Sequence, residues 1–450
     1  MAAIVAEQIV RWDRAHLWHP FTQMQEWLAS DPLVVVAADG NYLIDTAGRR
    51  YLDGVSSLWC NVHGHRRPEI DAAIRAQLER VAHTTLLGLA SPPSAELAAR
   101  LAAVAPAGLT RVFYSDAGAT AVEIALKLAL QYWRLRGEER PRFIALVDGY
   151  HGDTLGAMSV GFSEPFHRFY TPLLPVTRVP APYVAQRTRG LDPDAALAAA
   201  LAELEAALAQ DRGSVAAVVV EPLMQGAAGM WPQPVAYLPA VRELTRRYDT
   251  LLVCDEVATG FGRTGRLFAC DHAGVTPDLL TLGKGLTGGY LPLAATLATE
   301  EIFRAFLGPY EDYTAFFHGH TFTGNALACA AALASLDLFT PALLASLPDK
   351  AAALARELDA RVRPLPHVAE IRQRGLMIAI ELMRAPRDRE PYRPSERVGH
   401  RTILAARRRG VVLRPLGDAL VLMPPLSIRA DEIETLVTVA ADSIAEVTGE

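Results

Sequence analysis

Lysine is almost missing from this chain of 450 residues. Only Lys127, Lys284 and Lys350 occur, so the other 41 of the 44 basic residues are arginine. Arginine stays protonated and is a poor nucleophile, whereas a lysine amine can lose its proton in a desolvated pocket. Lys284 lies between two glycines in TLGKGLTGG (281–289) and is therefore a candidate for amine chemistry. Taken alone, the stretch is also compatible with a lysine in a surface loop.

Paired cysteines, long apolar runs and a strong charge excess are also missing. The longest uncharged apolar run, around 326–336, is well short of the roughly 18 residues that a spanning helix needs. Charged residues interrupt the first 18 residues, which argues against a signal peptide. Single, unpaired cysteines favour a reduced compartment; they stand at Cys60, Cys254, Cys270 and Cys329. We expect a soluble cytoplasmic protein that does not bind a membrane.

The net charge of −6 and the pI near 6.1 argue against nucleic acid as the main partner. HGH occurs twice, at 63–65 and 318–320, but neither copy has further ligands at zinc spacing. No metal site is predicted, and these histidines are interpreted as polar loop residues.

Short apolar runs alternate with helical patterns through much of the chain. Four of these runs, at 111–115, 143–147, 215–220 and 251–254, end in polar turn residues. This alternation predicts an α/β fold with a mostly parallel sheet, in which ligands bind outside the carboxyl ends of the strands. We predict a large domain over 61–325 and a smaller α+β domain built from an N-terminal segment (1–60) and a C-terminal part (326–450).

Two well-known phosphate motifs are matched only in part. GFGRTG (260–265) spells the dinucleotide fingerprint GxGxxG, but the apolar helix that must follow it is interrupted by Gly274 and Pro277. LGKG resembles the end of a P-loop, but Asp278 and Gly285 stand where that loop needs glycine and a hydroxyl residue. Both motifs are rejected.

The residues after the predicted strands form a coherent set. Asp255 ends a buried strand and needs a cationic or hydrogen-bonding partner, for which a protonated pyridine nitrogen is suited. Gly118 and Ala119 begin a helix after another strand, where backbone amides bind phosphate. Tyr150 follows a third strand and can cover a flat ring. Together with the amine of Lys284, these groups match the needs of pyridoxal 5′-phosphate.

The chain also resembles a known family, the class III (omega) aminotransferases, which are pyridoxal-phosphate enzymes of fold type I. The resemblance covers about Trp18 to Pro425. Within the family it looks most like members that act in biotin synthesis. It is carried by WHPFTQM, SSLWCNVHGH, SDAGATAVEIALKLALQYW, GYHGDTLGAMSVG, CDEVATGFGRTGRLFACDH, LGKGLTGG and FFHGHTFTGNALACAAAL.

This resemblance implies roles for particular residues. Lys284 bonds to the cofactor and moves a proton, Asp255 keeps the ring nitrogen protonated, and Tyr150 completes the catalytic set. The implied cofactor-binding residues are Gly118, Ala119, Tyr150, His151, Asp255, Lys284, His320 and Thr321. Thr321 is expected to act across a homodimer interface, and Ala119 stands where the family commonly has serine. The implied substrate-binding residues are Phe21, Leu58, Trp59, Tyr150, Gly319 and Arg414.

The implied reaction is a ping-pong transamination of 8-amino-7-oxononanoate, in which Arg414 pairs with the carboxylate of the acceptor. S-adenosylmethionine is the expected donor. Phe21 and Leu58 depart from the tyrosine and tryptophan of the best-known members. The loss of one flat aromatic surface, at Leu58, weakens stacking by about 1 kcal/mol, so L-lysine stays an alternative donor. The same motifs are also compatible with a broad omega-transaminase or with a non-enzymatic cofactor-binding protein. Ala227 argues against glutamate, because many glutamate-using members have an acidic residue there.

Overall fold

The N-terminal part of the chain contributes a small meander of strands. The structure is a computed structural model that describes residues 6–162 and 166–449. Its first elements are α1 (Ala6–His16), α2 (Met24–Ala29), β1 (Val35–Asp39), β2 (Tyr42–Asp45), β3 (Arg50–Asp53) and the short α3 (Ser56–Trp59).

The middle of the chain forms the main sheet and the helices that cover it. These elements are α4 (Pro68–Leu78), α5 (Pro92–Val104), β4 (Leu109–Ser115), α6 (Gly118–Leu135), β5 (Arg142–Leu146), α7 (Leu155–Val160), β6 (Val176–Val179), α8 (Pro182–Arg189), α9 (Pro193–Gln210), β7 (Val215–Val220), β8 (Met224–Gln225), β9 (Trp231–Pro232), α10 (Tyr237–Arg247), β10 (Leu251–Asp255), α11 (Cys270–Ala273), β11 (Leu279–Leu282), β12 (Ala294–Thr299) and α12 (Glu300–Ala305).

The main sheet has the strand order β4-β12-β11-β10-β7-β5-β6. Strands β11, β10, β7, β5 and β6 pair in parallel, and β12 is antiparallel to both of its neighbours. Every residue of β7 and of β10 is buried, as expected for strands that helices cover on both faces. The four strands predicted at 111–115, 143–147, 215–220 and 251–254 are confirmed as β4, β5, β7 and β10.

The sheet places the ends of its parallel strands on one edge, where the helix α6 also begins. This helix buries Val122, Ala125, Ala129 and Trp133 on one face, the three-to-four residue spacing that packs a helix against a sheet. Its first turn follows β4 directly, so its free amide groups lie at the carboxyl edge of the sheet. Residues 260–265 form turns before the four-residue helix α11, so the long helix that a dinucleotide fingerprint requires is not formed here.

The C-terminal part has its own sheet and core. Its elements are α13 (Ala326–Asp337), α14 (Pro341–Arg361), β13 (Val368–Arg374), β14 (Met377–Leu382), α15 (Val398–Arg408), β15 (Val411–Val412), β16 (Arg414–Leu416), β17 (Ala419–Leu422) and α16 (Ala430–Thr448). The strand order is β13-β14-β17-β16, and all neighbours are antiparallel.

The two ends of the chain meet through β15, which pairs in parallel with β3. Leu52 from the N-terminal meander is buried in one core with Ile378 and Leu436. The helix α13 instead packs Ala328 and Leu336 into the core of the main sheet. The domain limits at 60 and 325 stay predictions.

No described helix is by itself long and apolar enough to cross a membrane; α13 and α14 meet that test only as a pair bent by 71°.

Candidate active site

A buried carboxylate and a buried imidazole lie at the carboxyl edge of the main sheet. Asp255 Oδ2 is 2.7 Å from His151 Nδ1, and its Oδ1 accepts bonds of 3.0 Å from the backbone N–H of Val257 and the hydroxyl of Thr281. Burial works to lower the pKa of His151, but the hydrogen bond to Asp255 and its charge raise it above its ordinary value. Asp255 therefore favours the protonated form of the His151 imidazole.

Lys284 follows the neighbouring strand β11 through Gly283 and begins a single 3₁₀ turn at 284–287. Its φ of 41° lies in the left-handed region, an uncommon conformation for a residue with a side chain. Its Nζ is 5.3 Å from the centre of the Trp59 ring. Burial lowers the pKa of the amine, while the charges of Asp255 and Glu221 oppose that shift. A lysine with a lowered pKa is more often uncharged and can act as a nucleophile.

The start of α6 forms a narrow turn against the Asp255 loop. A Cβ added to Gly118 would come within 2.4 Å of Val257, and one added to Gly152 would come within 2.3 Å of the Ala119 side chain. These glycines let the backbone approach closely, as a turn that surrounds an anion requires. The Thr120 hydroxyl accepts a hydrogen bond from the N–H of Ala117 and donates one to the carbonyl of the same residue. Its donor is therefore already engaged within the first turn of α6.

A second buried acid, Glu221, follows β7 and connects two parts of the site. Its Oε1 accepts a 3.1 Å bond from the backbone N–H of Tyr150, and its Oε2 accepts a 2.9 Å bond from that of Gly226. Burial raises its pKa to about 7. Glu221 was not among the residues predicted from the sequence, although its position directly after the apolar run 215–220 is the same signal that indicated Asp255.

Tyr150 lies close to Arg414, which the C-terminal part contributes from the start of β16. The Tyr150 hydroxyl donates to Asp153 at 2.7 Å, and burial raises its pKa. Burial also lowers the pKa of Arg414, a shift that Tyr150 opposes. The Arg414 guanidinium carbon lies 5.8 Å from the centre of the Phe21 ring. Within residues 6–162 and 166–449, no acidic side chain forms an ion pair with Arg414, which leaves it available to a carboxylate.

The structure does not place every predicted residue beside Lys284. Gly319, His320 and Thr321 lie on the loop before α13, where Gly319 and Thr321 are exposed. His320 Nδ1 is 2.8 Å from Asp116 Oδ2, which ties this loop to the turn before α6. The Thr321 carbonyl is 2.8 Å from His83 Nε2. Phe21 and Leu58 are also largely exposed.

The two HGH sequences have different surroundings. His63 is buried 3.0 Å from the Ser335 hydroxyl, and burial lowers its pKa to about 3. His65 bonds to Asp53, and His318 lies 2.9 Å from Lys127 Nζ. Across the described parts of the chain, no three His, Cys, Asp or Glu side chains are grouped as metal ligands would be.

The residues at the sheet edge fit pyridoxal 5′-phosphate. His151 Nε2 and Trp59 Nε1 are buried polar atoms without a partner among the described groups, and buried donors of this kind need one. The glycine-lined turn at α6 suits a phosphate, and the Lys284 amine suits an aldehyde. A sheet with one antiparallel strand and this set of groups defines a pyridoxal-phosphate transferase of fold type I.

The family model for aminotransferase class III matches residues 24–444. The chain belongs to this family, whose members use pyridoxal 5′-phosphate.

The chain is similar to curated proteins over nearly its whole length. An adenosylmethionine-8-amino-7-oxononanoate aminotransferase of Nitratidesulfovibrio vulgaris is 58% identical over 97% of this chain and 81% of that protein. One of Geobacter sulfurreducens with the same name is 52% identical over 97% of both chains. The crystal structure of such an enzyme from Methanocaldococcus jannaschii has a TM-score of 0.92 and 43% identity, covering 98% of this chain and 99% of its own. An (S)-enantioselective omega-transaminase from Thermomicrobium roseum has a TM-score of 0.93 and 37% identity over 99% of both chains.

Proposed function

We propose that this chain transaminates 8-amino-7-oxononanoate to 7,8-diaminononanoate in biotin synthesis, with S-adenosylmethionine as the amino donor. The observation that carries the proposal is the likeness to relatives named for this substrate pair, at 58% and 52% identity over almost the full chain. The available Arg414 at the site supports it, because a bidentate guanidinium is suited to the carboxylate of the acceptor.

The proposed roles follow from the chemistry of each group. When bound, pyridoxal 5′-phosphate supplies an aldehyde that exchanges amino groups and a ring that takes up negative charge. The Lys284 amine would hold the cofactor through its aldehyde carbon and, once the substrate amine has replaced it there, would move a proton between the substrate carbon and that cofactor carbon, since its lowered pKa favours the uncharged amine. Asp255 supplies the negative charge that holds a proton on the ring nitrogen, and His151 orients that carboxylate.

The other proposed contacts surround this centre. The backbone N–H groups of Gly118 and Ala119 hold the phosphate, and the Tyr150 ring covers the cofactor. Trp59 and Phe21 line the substrate path. The remaining proposed members are Leu58, Gly319, His320 and Thr321.

We further propose a cytoplasmic homodimer in which Thr321 of each copy completes the phosphate site of the other. The exposure of Thr321 within one chain supports this assignment. So do the exposed Trp18, Leu87 and Phe317, since large exposed apolar groups are typical of association surfaces.

The donor is tested by half-reactions. The cofactor-loaded enzyme is mixed with S-adenosylmethionine or with L-lysine alone, and the visible absorbance of the bound cofactor is followed. Loss of that absorbance with S-adenosylmethionine, and formation of 7,8-diaminononanoate after the acceptor is added, is the expected result. Loss with L-lysine only would contradict the donor assignment.

A broad amine transaminase is the second candidate, because the similar structure from Thermomicrobium roseum is described as an omega-transaminase. A panel of ketones and aldehydes separates the two functions. Our proposal predicts a strong preference for 8-amino-7-oxononanoate, whereas comparable rates across the panel would favour the second candidate.

A further inference from the structure

The segment at 54–59, called the Trp59 loop below, includes the short α3, presents Trp59 to the active site and has an unusual backbone. Ser56, Ser57 and Trp59 all have positive φ values, of 51°, 61° and 66°. Ser57 combines φ 61° with ψ −85°, close to the γ-turn that is rare and strained for a residue with a side chain. Such conformations persist only where surrounding contacts hold them, and they are concentrated at functional sites.

The contacts that hold this loop converge on one carboxylate. The Asp53 side chain is completely buried at the end of β3. It accepts the Ser57 N–H at 2.9 Å and 2.8 Å with its two oxygens, and the Ser57 hydroxyl at 3.1 Å. His65 Nε2 lies 3.0 Å from the same carboxylate. Asp53 therefore joins the strand before the loop, the strained residue within it and the segment after it.

The result of this conformation is the position of Trp59. Trp59 is 6% exposed, and the centre of its ring is 5.3 Å from Lys284 Nζ. The ring also forms a wall near the turn at Gly226, where an added Cβ would come within 3.4 Å of it. A relaxed Ser57 would change the direction of the chain two residues before Trp59 and would rotate the ring away from the amine.

We propose that Asp53 is a positioning residue: its buried carboxylate holds Ser57 in the strained turn that directs Trp59 toward Lys284. Asp53 does not reach the reacting atoms and acts only through Trp59. The inference rests on the proposed transamination for its kinetic consequence, while the conformational part concerns the free protein.

The first test compares Asp53→Asn with Asp45→Asn. Asp45 is also buried, ends the preceding strand and bonds to Ala47, Arg49 and Tyr51, so it has a similar structural role away from the Trp59 loop. We expect Asp53→Asn to lower kcat/KM for the acceptor about tenfold or more, mainly through KM, because small misplacements near a reacting centre cost up to about a hundredfold. Asp45→Asn lowers the unfolding midpoint but leaves KM unchanged.

A readout on the cofactor-free protein separates this inference from the proposed function. The Trp59 contribution to near-ultraviolet circular dichroism is defined by subtracting the spectrum of Trp59→Phe. Asp53→Asn loses this contribution and Asp45→Asn keeps it, whether or not any donor reacts. An unchanged Trp59 contribution in Asp53→Asn, or an equal loss in Asp45→Asn, would overturn the proposal.

A comparison of two Ser57 variants tests whether Asp53 acts by holding the strained backbone at Ser57. Glycine adopts the Ser57 conformation without steric cost, whereas alanine removes the same hydroxyl and keeps the Cβ. The Asp53→Asn change should therefore reduce the Trp59 signal more in a Ser57→Ala background than in a Ser57→Gly background. Equal losses in the two backgrounds would show that Asp53 does not act by holding the strained turn.

Discussion

The interior and the rim of the active site differ in how far one chain completes them. In the interior, Asp255, His151 and Glu221 are buried. Asp255 bonds to His151, and Glu221 accepts a bond from the backbone N–H of Tyr150, the residue before His151. At the rim, Phe21, Leu58 and Thr321 are largely exposed. Strand ends of a single sheet fix the interior, which is therefore preorganised before any ligand binds. The open rim agrees with the proposed second copy and with a region where donor selectivity can vary.

The largest effect is expected from removing the interior acid. Asp255→Ala removes the partner of His151 and the charge assigned to the ring nitrogen, so kcat should fall by about a thousandfold or more. Steady-state kinetics at saturating cofactor measure the change.

The matched control for that change is Asp278→Ala. Asp278 pairs with Arg242 at the opposite end of the neighbouring strand, so its loss should lower stability and leave kcat close to that of the unchanged enzyme. Comparable kcat losses in both variants would remove the distinction between the interior site and the rest of the sheet.

A smaller effect is expected where the site opens toward the acceptor. Arg414→Ala should raise KM for 8-amino-7-oxononanoate about 10- to 100-fold, since a hydrogen bond to a charged group contributes about 1.5–3 kcal/mol. Initial rates over a range of acceptor concentrations measure this, with the exposed Arg408→Ala as the control. Equal KM values in the two variants would exclude Arg414 as the carboxylate contact.

The smallest expected effect on turnover comes from Glu221, which pH distinguishes from a second buried glutamate, Glu256. Burial raises the pKa of both Glu221 and Glu256 from 4.5 to about 7. Between these values the unfolded chain releases a proton that the folded chain retains, so the free energy of unfolding falls as pH rises from about 4.5 to 7. Each group contributes up to about 3 kcal/mol to that fall, at 1.36 kcal/mol per pKa unit.

Glu221→Gln and Glu256→Gln should each reduce this pH dependence in urea unfolding of the cofactor-free protein. Only Glu221→Gln should also change the pH profile of kcat, because Glu256 bonds instead to the backbone of Ala269 and Cys270. If the pH profile of kcat is the same in both variants, Glu221 does not act in the active site.

The sequence predicted the parts of the molecule that follow from local pattern. Apolar runs predicted β7 and β10, and Asp255 was identified as the polar residue directly after the apolar run 251–254. The direct bond between Asp255 and His151 could not be predicted, because it joins residues 104 positions apart through the order of strands in the sheet. The strain at Ser57 was also hidden, since serine gives no sequence signal for positive φ. The proposed contacts of the rim with a second copy could not be derived from the pattern of one chain.

Identification of the amine that carries the cofactor tests the central claim most directly. The loaded enzyme is reduced with borohydride, digested and mapped by mass spectrometry. With only three lysines in the chain, the assay has few possible outcomes. We predict a phosphopyridoxyl group on Lys284; the same group on Lys127 or Lys350, or no modified lysine in loaded protein, would contradict the account.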